Sequence, residues 1–301
     1  MPKVWLNGRL VEEAEASIPL RDAGLLHAAG VFTTMRAYGG RVFRLADHLA
    51  RLRQSCQALL IPLTYSDEAL IQAVGELLAD SGLSDARLRL TVTRGLSRPD
   101  PLHGTRLDPN IFLTAARLEP YPAEYYQRGM SVIVLDEQKL NPYDVQAGHK
   151  TLNYLSRLEA LRSASLRGCG EALWFNVHNY LQSGSICNVF VVKNGRLITP
   201  PTPQDLHDLT LARAIPYPKS ATLPGITRKV VLELAAANGI EVSLAAIDIN
   251  QLLEADEVFL TNSVMQVMPV CRIERRNVGA EAPGPVTRRL AGLYEQAVRD
   301  G

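Results

Sequence analysis

Glu119-Pro120-Tyr121-Pro122 constrains this 301-residue chain more than any other stretch. Two prolines so close together supply no backbone donors and hold their φ angles, so neither a helix nor a central strand can run through them. The connector divides the chain into a smaller N-terminal α/β part, residues 1–118, a linker, 119–125, and a larger C-terminal part, 126–301. Each part is long enough to bury a core of its own. Apolar patterns on both sides come as groups of strands with helices between the groups. That grouping predicts an α+β chain of two domains with mixed sheets, rather than strictly alternating βαβ units.

In the first part, Val4-Trp5-Leu6 and Arg9-Leu10-Val11 flank Asn7-Gly8, a tight-hairpin signature. Residues 47–60 have helical periodicity, with Leu49, Leu52, Cys56 and Leu59 on one side. Residues 67–78 predict a second helix, stopped near Gly82. Residues 87–93 and 111–115 read as strands. In the second part, 130–135 is a continuous apolar strand. Leu152, Leu155, Leu158 and Leu161 then mark the apolar face of a helix expected to anchor its own first turn in the core. Strands follow at 172–177, 189–192 and 196–198, the last two joined through Asn194-Gly195. Residues 200–218 are proline-rich and read as irregular. A helix at 227–237 stops at Asn238-Gly239, strands lie at 258–261 and 267–273, and Val286, Leu290, Leu293 and Ala297 stripe a last helix.

Composition excludes more than it selects. The formal net charge of +1 gives no pull toward nucleic acid or an anionic membrane. Cys56, Cys169, Cys187 and Cys271 have neither metal nor redox spacing and read as reduced thiols of a cytoplasmic protein, so no metal site is expected. There is no signal-peptide run at the start, and no apolar stretch long enough to span a bilayer.

Five segments could carry chemistry. Lys150 sits in Gly148-His149-Lys150-Thr151-Leu152-Asn153-Tyr154-Leu155; an amine held rigidly beside a pocket can lose its proton and attack a carbonyl, forming a Schiff base. His48 and Arg51 lie three apart on one helix face and could converge on an anion, for which arginine supplies a planar fork of donors. Leu223-Pro224-Gly225-Ile226-Thr227-Arg228 opens a helix whose first N–H groups, with the Thr227 hydroxyl, could face an anion. Thr261-Asn262-Ser263 ends a strand with small polar groups. Gln182-Ser183-Gly184-Ser185 reads as a polar turn feeding a strand, without the helix that a serine-hydrolase elbow requires. Taken singly, these are also a solvated lysine, a solvated helix face, a helix cap and ordinary turns. Together, one amine nucleophile and several phosphate-cradling elements fit a phosphate-bearing aldehyde, pyridoxal 5′-phosphate.

These residues resemble the class IV aminotransferases, the fold type IV pyridoxal-phosphate enzymes, over nearly the whole chain. The likeness runs from Asn7-Gly8 through Phe32-Thr33-Thr34-Met35-Arg36, His48-Leu49-Ala50-Arg51-Leu52 and Lys150 to Asn188-Val189-Phe190, Leu223 to Arg228 and Ala255 to Ser263. Among the branches, Phe32-Thr33-Thr34, the Lys150 segment and Thr261-Asn262-Ser263 with Met268-Pro269-Val270 look most like 4-amino-4-deoxychorismate lyase, which forms 4-aminobenzoate and pyruvate on the folate route. D-amino acid and branched-chain aminotransferases are the alternatives, and a scaffold that has lost cofactor chemistry is a third. The resemblance implies a homodimer acting on a small amino substrate, with the site in the interdomain cleft. It implies that Lys150 holds the cofactor and is catalytic. Arg51 and the N–H groups of Ile226 and Thr227 take the phosphate, Ser263 lies near it, and Tyr154 approaches the ring hydroxyl. The carboxylates of a chorismate-type substrate would need cationic partners; Arg94 and Arg98, which flank Gly95 in a loop after a strand, are the candidates, with Thr34, to face the substrate. The chain departs from the family at Ser183, where relatives carry a glutamate that pairs with the ring nitrogen. It departs also at His27-Ala28-Ala29-Gly30 and in the length of 200–218.

Overall fold

A computed structural model describes residues 2–100 and 104–301. The chain forms two compact units, Met1–Glu119 with His149–Tyr154, and Pro120–Gly148 with Leu155–Gly301. The short segment His149–Tyr154 lies within the sequence span expected for the second domain, yet it packs with the first. Backbone hydrogen bonds explain this: the Phe32 N–H donates to Lys150 O at 2.9 Å and the Leu152 N–H to Gly30 O at 3.0 Å, around an antiparallel bridge between Val31 and Thr151.

In the first unit the sheet is wholly antiparallel. Its strands are β1 (Lys3–Leu6), β2 (Arg9–Glu12), β3 (Gly30–Tyr38), β4 (Arg41–Val42), β5 (Ala86–Thr93) and β8 (Ile111–Arg117), in the order β2-β1-β8-β5-β3-β4. Strands β6 (Leu96–Asp100) and β7 (Gly104–Asp108) pair antiparallel in a separate two-stranded sheet. The expected turn at Asn7-Gly8 is present, with φ of 47° and 96°, as a tight hairpin between twisted strands requires. Helix α1 is short (Ala23–His27), and the two expected helices are α2 (Leu45–Ala58) and α3 (Asp67–Ser81). The Ser66 hydroxyl caps α3, and Gly82 closes it in the left-handed region with its N–H on Leu78 O. The core joins Leu49, Leu52 and Cys56 of α2 and Leu70, Val74 and Leu77 of α3 to Val31, Met35 and Ala37 of β3 and Leu88, Leu90 and Val92 of β5. Side chains alternate along a strand. Val31, Thr33, Met35 and Ala37 therefore share the helix-covered face, and Phe32, Thr34 and Arg36 share the other.

In the second unit the sheet is mixed. It contains β9 (Met130–Leu140), β10 (Glu171–Asn176), β11 (Leu181–Gly184), β12 (Asn188–Lys193), β13 (Arg196–Thr199), β14 (Val242–Leu244), β15 (Glu257–Asn262), β16 (Gln266–Ile273) and β17 (Arg276–Asn277). The order is β11-β10-β9-β16-β15-β12-β13-β14, with β17 on β16. The pairs β9–β10, β9–β16 and β13–β14 are parallel. Both faces are covered near β9: Val132 belongs to one cluster, Ile133 and Leu135 to another, which is why its start reads as a continuous apolar run. The helices are α4 (Ala123–Arg128), α5 (Leu155–Leu166), α6 (Leu209–Ala214), α7 (Ile226–Ala237), α8 (Ile249–Leu253) and α9 (Pro285–Asp300). Thus 200–218 is not wholly irregular, since Asp208 caps α6 by accepting from the Thr210 and Leu211 N–H groups.

Helix α5 corrects the leucine stripe. It begins five residues after Lys150, and Leu155 and Leu158 are 71% and 54% exposed. The buried residues are Ala160 and Ala164, packed with Ile133, Leu135 and Trp174. Small side chains let the helix lie close on the sheet, so the core face is the one that sequence hydrophobicity underweights. No helix of the described residues is long and apolar enough to cross a membrane, and no group of three or more His, Cys, Asp or Glu among them could hold a metal ion.

Candidate active site

Lys150 is fixed by the bridge to β3, not by a helical turn. Its Nζ donates to the Tyr154 hydroxyl at 2.7 Å and stands 4.5 Å from the centre of the Phe32 ring. Phe32 and Tyr154 meet edge to face, 5.2 Å between centres. The Arg89 guanidinium lies 3.5 Å from the same Phe32 ring, and its Nε donates to Thr91 Oγ1 at 3.2 Å. Two cations against one ring use its negative face. Burial pulls the Arg89 guanidinium below its usual range, opposed by the Tyr154 phenol, and no carboxylate among the described residues pairs with it. Arg89 is a candidate absent from the residues expected on sequence grounds. The alternation of Arg87, Arg89 and Thr91 along a half-buried strand could have pointed to it. Thr34 pairs with Arg89 across β3 and β5 and shares its face of β3 with Phe32, half-buried.

A second polar group lies where β3 meets α2. Thr33 is fully buried; its Oγ1 is 2.8 Å from His48 Nδ1 and accepts from Arg51 Nη2 at 3.1 Å. His48 is 2% exposed, and burial, followed by the charges of Arg51 and Lys150, holds its pKa well below the usual imidazole range. It is therefore neutral at pH 7. Of the pair expected to converge on an anion, His48 presents Nδ1 to Thr33, and Arg51 brings the positive charge. Burial brings Arg51 down to about 10, which leaves it cationic at neutral pH. One turn on, Ser55 Oγ is 3.0 Å from His149 Nδ1.

Arg94 and Arg98 lie beyond β5. Arg94 is exposed, with its backbone N–H on Ala29 O at 2.8 Å. Arg98 is paired with Asp108 at 2.6 Å, so it already has an internal counter-charge.

In the second unit, α7 starts at Ile226 with Gly225 as its cap residue and no side-chain cap. A Cβ on Gly225 would fall 1.9 Å from Asn188 Oδ1, and Asn188 Nδ2 donates to Leu223 O at 2.8 Å. Thr227 is buried behind this turn. Gln182 and Ser183, expected in a turn, lie in the buried strand β11. Ser183 is 5% exposed, opposite Trp174, and its Oγ has no hydrogen-bond partner among the described residues; Thr261 Oγ1 is likewise buried and unpartnered. The turn follows β11, and Glu171 clasps it, accepting from the Ser185 and Ile186 N–H groups at 2.9 and 3.3 Å and from Cys187 Sγ at 3.4 Å. Burial raises the pKa of Glu171, and its hydrogen bonds from the Ala172 and Ser185 N–H groups oppose the rise. Ser263 is half-buried in the turn between β15 and β16, where Asn262 Oδ1 accepts from the Val264 and Met265 N–H groups at 2.8 Å each.

Known proteins resemble this chain along nearly its whole length. The model of the amino-transferase class IV family matches residues 30–273. A Methanocaldococcus jannaschii protein, named provisionally as a branched-chain-amino-acid aminotransferase, is 36% identical over 97% of this chain and 95% of its own. The D-alanine aminotransferase of Bacillus licheniformis is 30% identical over 98% and 97%. Among solved structures, the branched-chain amino acid aminotransferase of Escherichia coli covers 97% of this chain and 94% of its own at 28% identity, with a TM-score of 0.85.

Proposed function

The chain belongs to the class IV aminotransferases, and we propose that within this family it transfers the amino group of a small amino acid to a 2-oxo acid, with pyridoxal 5′-phosphate as cofactor. The observation that carries the reading is the Lys150 amine, held 2.7 Å from the Tyr154 hydroxyl beside Phe32 and Arg89. Three features fit a flat ring bearing a phosphate: a half-buried, cationic Arg51, the unpartnered buried hydroxyl of Ser183, and the close approach that Gly225 permits at the start of α7. When bound, the cofactor withdraws electrons from the carbon that carries the substrate's amino group.

The residues take these roles in the proposal. Lys150 holds the cofactor covalently, and its Nζ moves the substrate's α-proton. Tyr154 orients that amine. Arg51 and the N–H groups of Ile226 and Thr227 bind the phosphate, with Ser263 nearby. Ser183 meets the ring nitrogen through a neutral hydroxyl, and Thr34, Arg94 and Arg98 contact the substrate. The active species is a homodimer.

A second reading, cleavage of 4-amino-4-deoxychorismate to 4-aminobenzoate and pyruvate, is favoured by Ser183 itself. A neutral hydroxyl stabilises a protonated ring less than a carboxylate does. A cleavage driven by aromatisation of its own product tolerates that loss better than reversible amino transfer. Assaying one preparation for amino transfer from D-amino and branched-chain amino acids, and for pyruvate and 4-aminobenzoate release, separates the two. Under either reading, borohydride treatment with the cofactor labels Lys150, and Lys150→Ala abolishes the label without unfolding the chain. A label on another lysine overturns the assignment.

A further inference from the structure

The Thr33 hydroxyl stands between two residues of α2, and its hydrogen-bonding capacity fixes what each does. It accepts an N–H from Arg51 at 3.1 Å and lies 2.8 Å from His48 Nδ1. His48 is neutral and carries one ring proton, so Nδ1 is either donor or acceptor. With Arg51 already donating to Thr33 Oγ1, the arrangement that uses the hydroxyl's own proton has Thr33 donating to Nδ1, which places the histidine proton on Nε2. Thr33 has no exposed surface and His48 almost none, so neither bond can be exchanged for water. Arg51 is the group whose position matters. Its side chain is long, and its charge persists at neutral pH.

We infer that Thr33, oriented by His48, is a positioning residue that aims the Arg51 guanidinium at the cofactor's phosphate. The inference rests on the reading that Arg51 binds that phosphate. It assigns Thr33 no contact with the substrate, whereas its neighbour Thr34 lies on the opposite face of β3. It also gives the histidine a role that needs no charge: a protonated His48 could not accept the Thr33 proton and would repel Arg51.

The test compares pyridoxal 5′-phosphate with pyridoxal, which lacks the phosphate, in titrations of apo-protein followed by the cofactor's absorbance. Thr33→Val keeps the shape and removes the hydroxyl. It should weaken pyridoxal 5′-phosphate by about tenfold, with pyridoxal changed less than about twofold on the same scale. His48→Leu should show the same selective loss, and His48→Asn, which keeps an acceptor near the Nδ1 position, should restore most of the affinity. The double variant Thr33→Val/His48→Leu should lose no more than either single one, because both act through one chain of bonds. A purely structural role would lower both affinities together, and that result overturns the inference, as does unchanged discrimination in Thr33→Val. If Thr33→Val fails to fold, the His48→Leu and His48→Asn pair probes the same bond from its other end. Wild-type protein that binds neither compound defeats the cofactor reading itself. Wild-type protein that prefers the phosphorylated compound, with variants that prefer it equally, defeats only the role given to Thr33.

Discussion

At the scale of single residues, burial decides charge, and charge decides role. His48 is the clearest case. Its pKa in the folded chain lies below that of an unfolded histidine, about 6.5. Below that pH the unfolded chain takes up a proton that the folded chain refuses. The resulting loss of stability is absent above about pH 6.5 and grows as pH falls toward the folded value, at up to about 1.4 kcal/mol per pH unit. His149 is shifted the same way by burial and adds to the trend. The urea midpoint should therefore drop less between pH 7 and pH 5 in His48→Asn than in the wild type; equal drops would show that His48 is not buried as a neutral group. Ser183 poses the opposite question, a neutral group where the family resemblance calls for a charge. Ser183→Glu should raise the ratio of amino transfer to pyruvate release, at some expense in stability, because a buried charge is tolerated only when well hydrogen-bonded. A variant with unchanged ratio and unchanged cofactor spectrum would remove residue 183 from the ring.

Elements place these residues by their periodicity. Strand β3 puts Thr33 toward α2 and Phe32 and Thr34 on its other face, so adjacent residues of one motif face opposite sides of the sheet. Helix α2 brings His48, Arg51 and Ser55 to one side at spacings of three and four. Helix α5 shows where periodicity misleads, since its face on the sheet is made by Ala160 and Ala164 rather than by leucines. Ala164 is fully buried, so Ala164→Leu should destabilise the chain by about 1–3 kcal/mol through overpacking, read as a lower urea midpoint. A change under about 0.5 kcal/mol, usual for an exposed site, would mean that the packed face has been misassigned.

Across the whole molecule, the candidate residues divide unequally between the two compact units. Lys150, Tyr154, Arg51 and Arg89 belong to the first, and Ser183, Thr227 and Ser263 to the second. The lysine reaches the first unit only because His149–Tyr154 pairs with β3. Leu152→Pro removes the N–H that donates to Gly30 O. It should sharply reduce borohydride labelling of Lys150 while far-UV circular dichroism stays near that of the wild type. Full labelling in that variant would show that the bridge does not position the amine.

Local signals determined much of this by themselves. The hairpin at Asn7-Gly8, the start and stop of α3 at Ser66 and Gly82, the strands around 258–261 and 267–273, and Lys150 as the candidate amine were legible because each depends on residues close in sequence. So was the family, from the order of its motifs. The expected strands omitted β3, whose mixed residues mask its alternation, and β11, whose Gln182 resembles a turn residue until the 217–222 segment supplies its hydrogen bonds. Tertiary structure alone decided which unit holds Lys150, which face of α5 is buried, that Arg89 stands over Phe32, and that Thr33 lies between His48 and Arg51. Those facts depend on pairings between residues far apart in the chain and on burial, which shifts a charge only after the fold has closed around it.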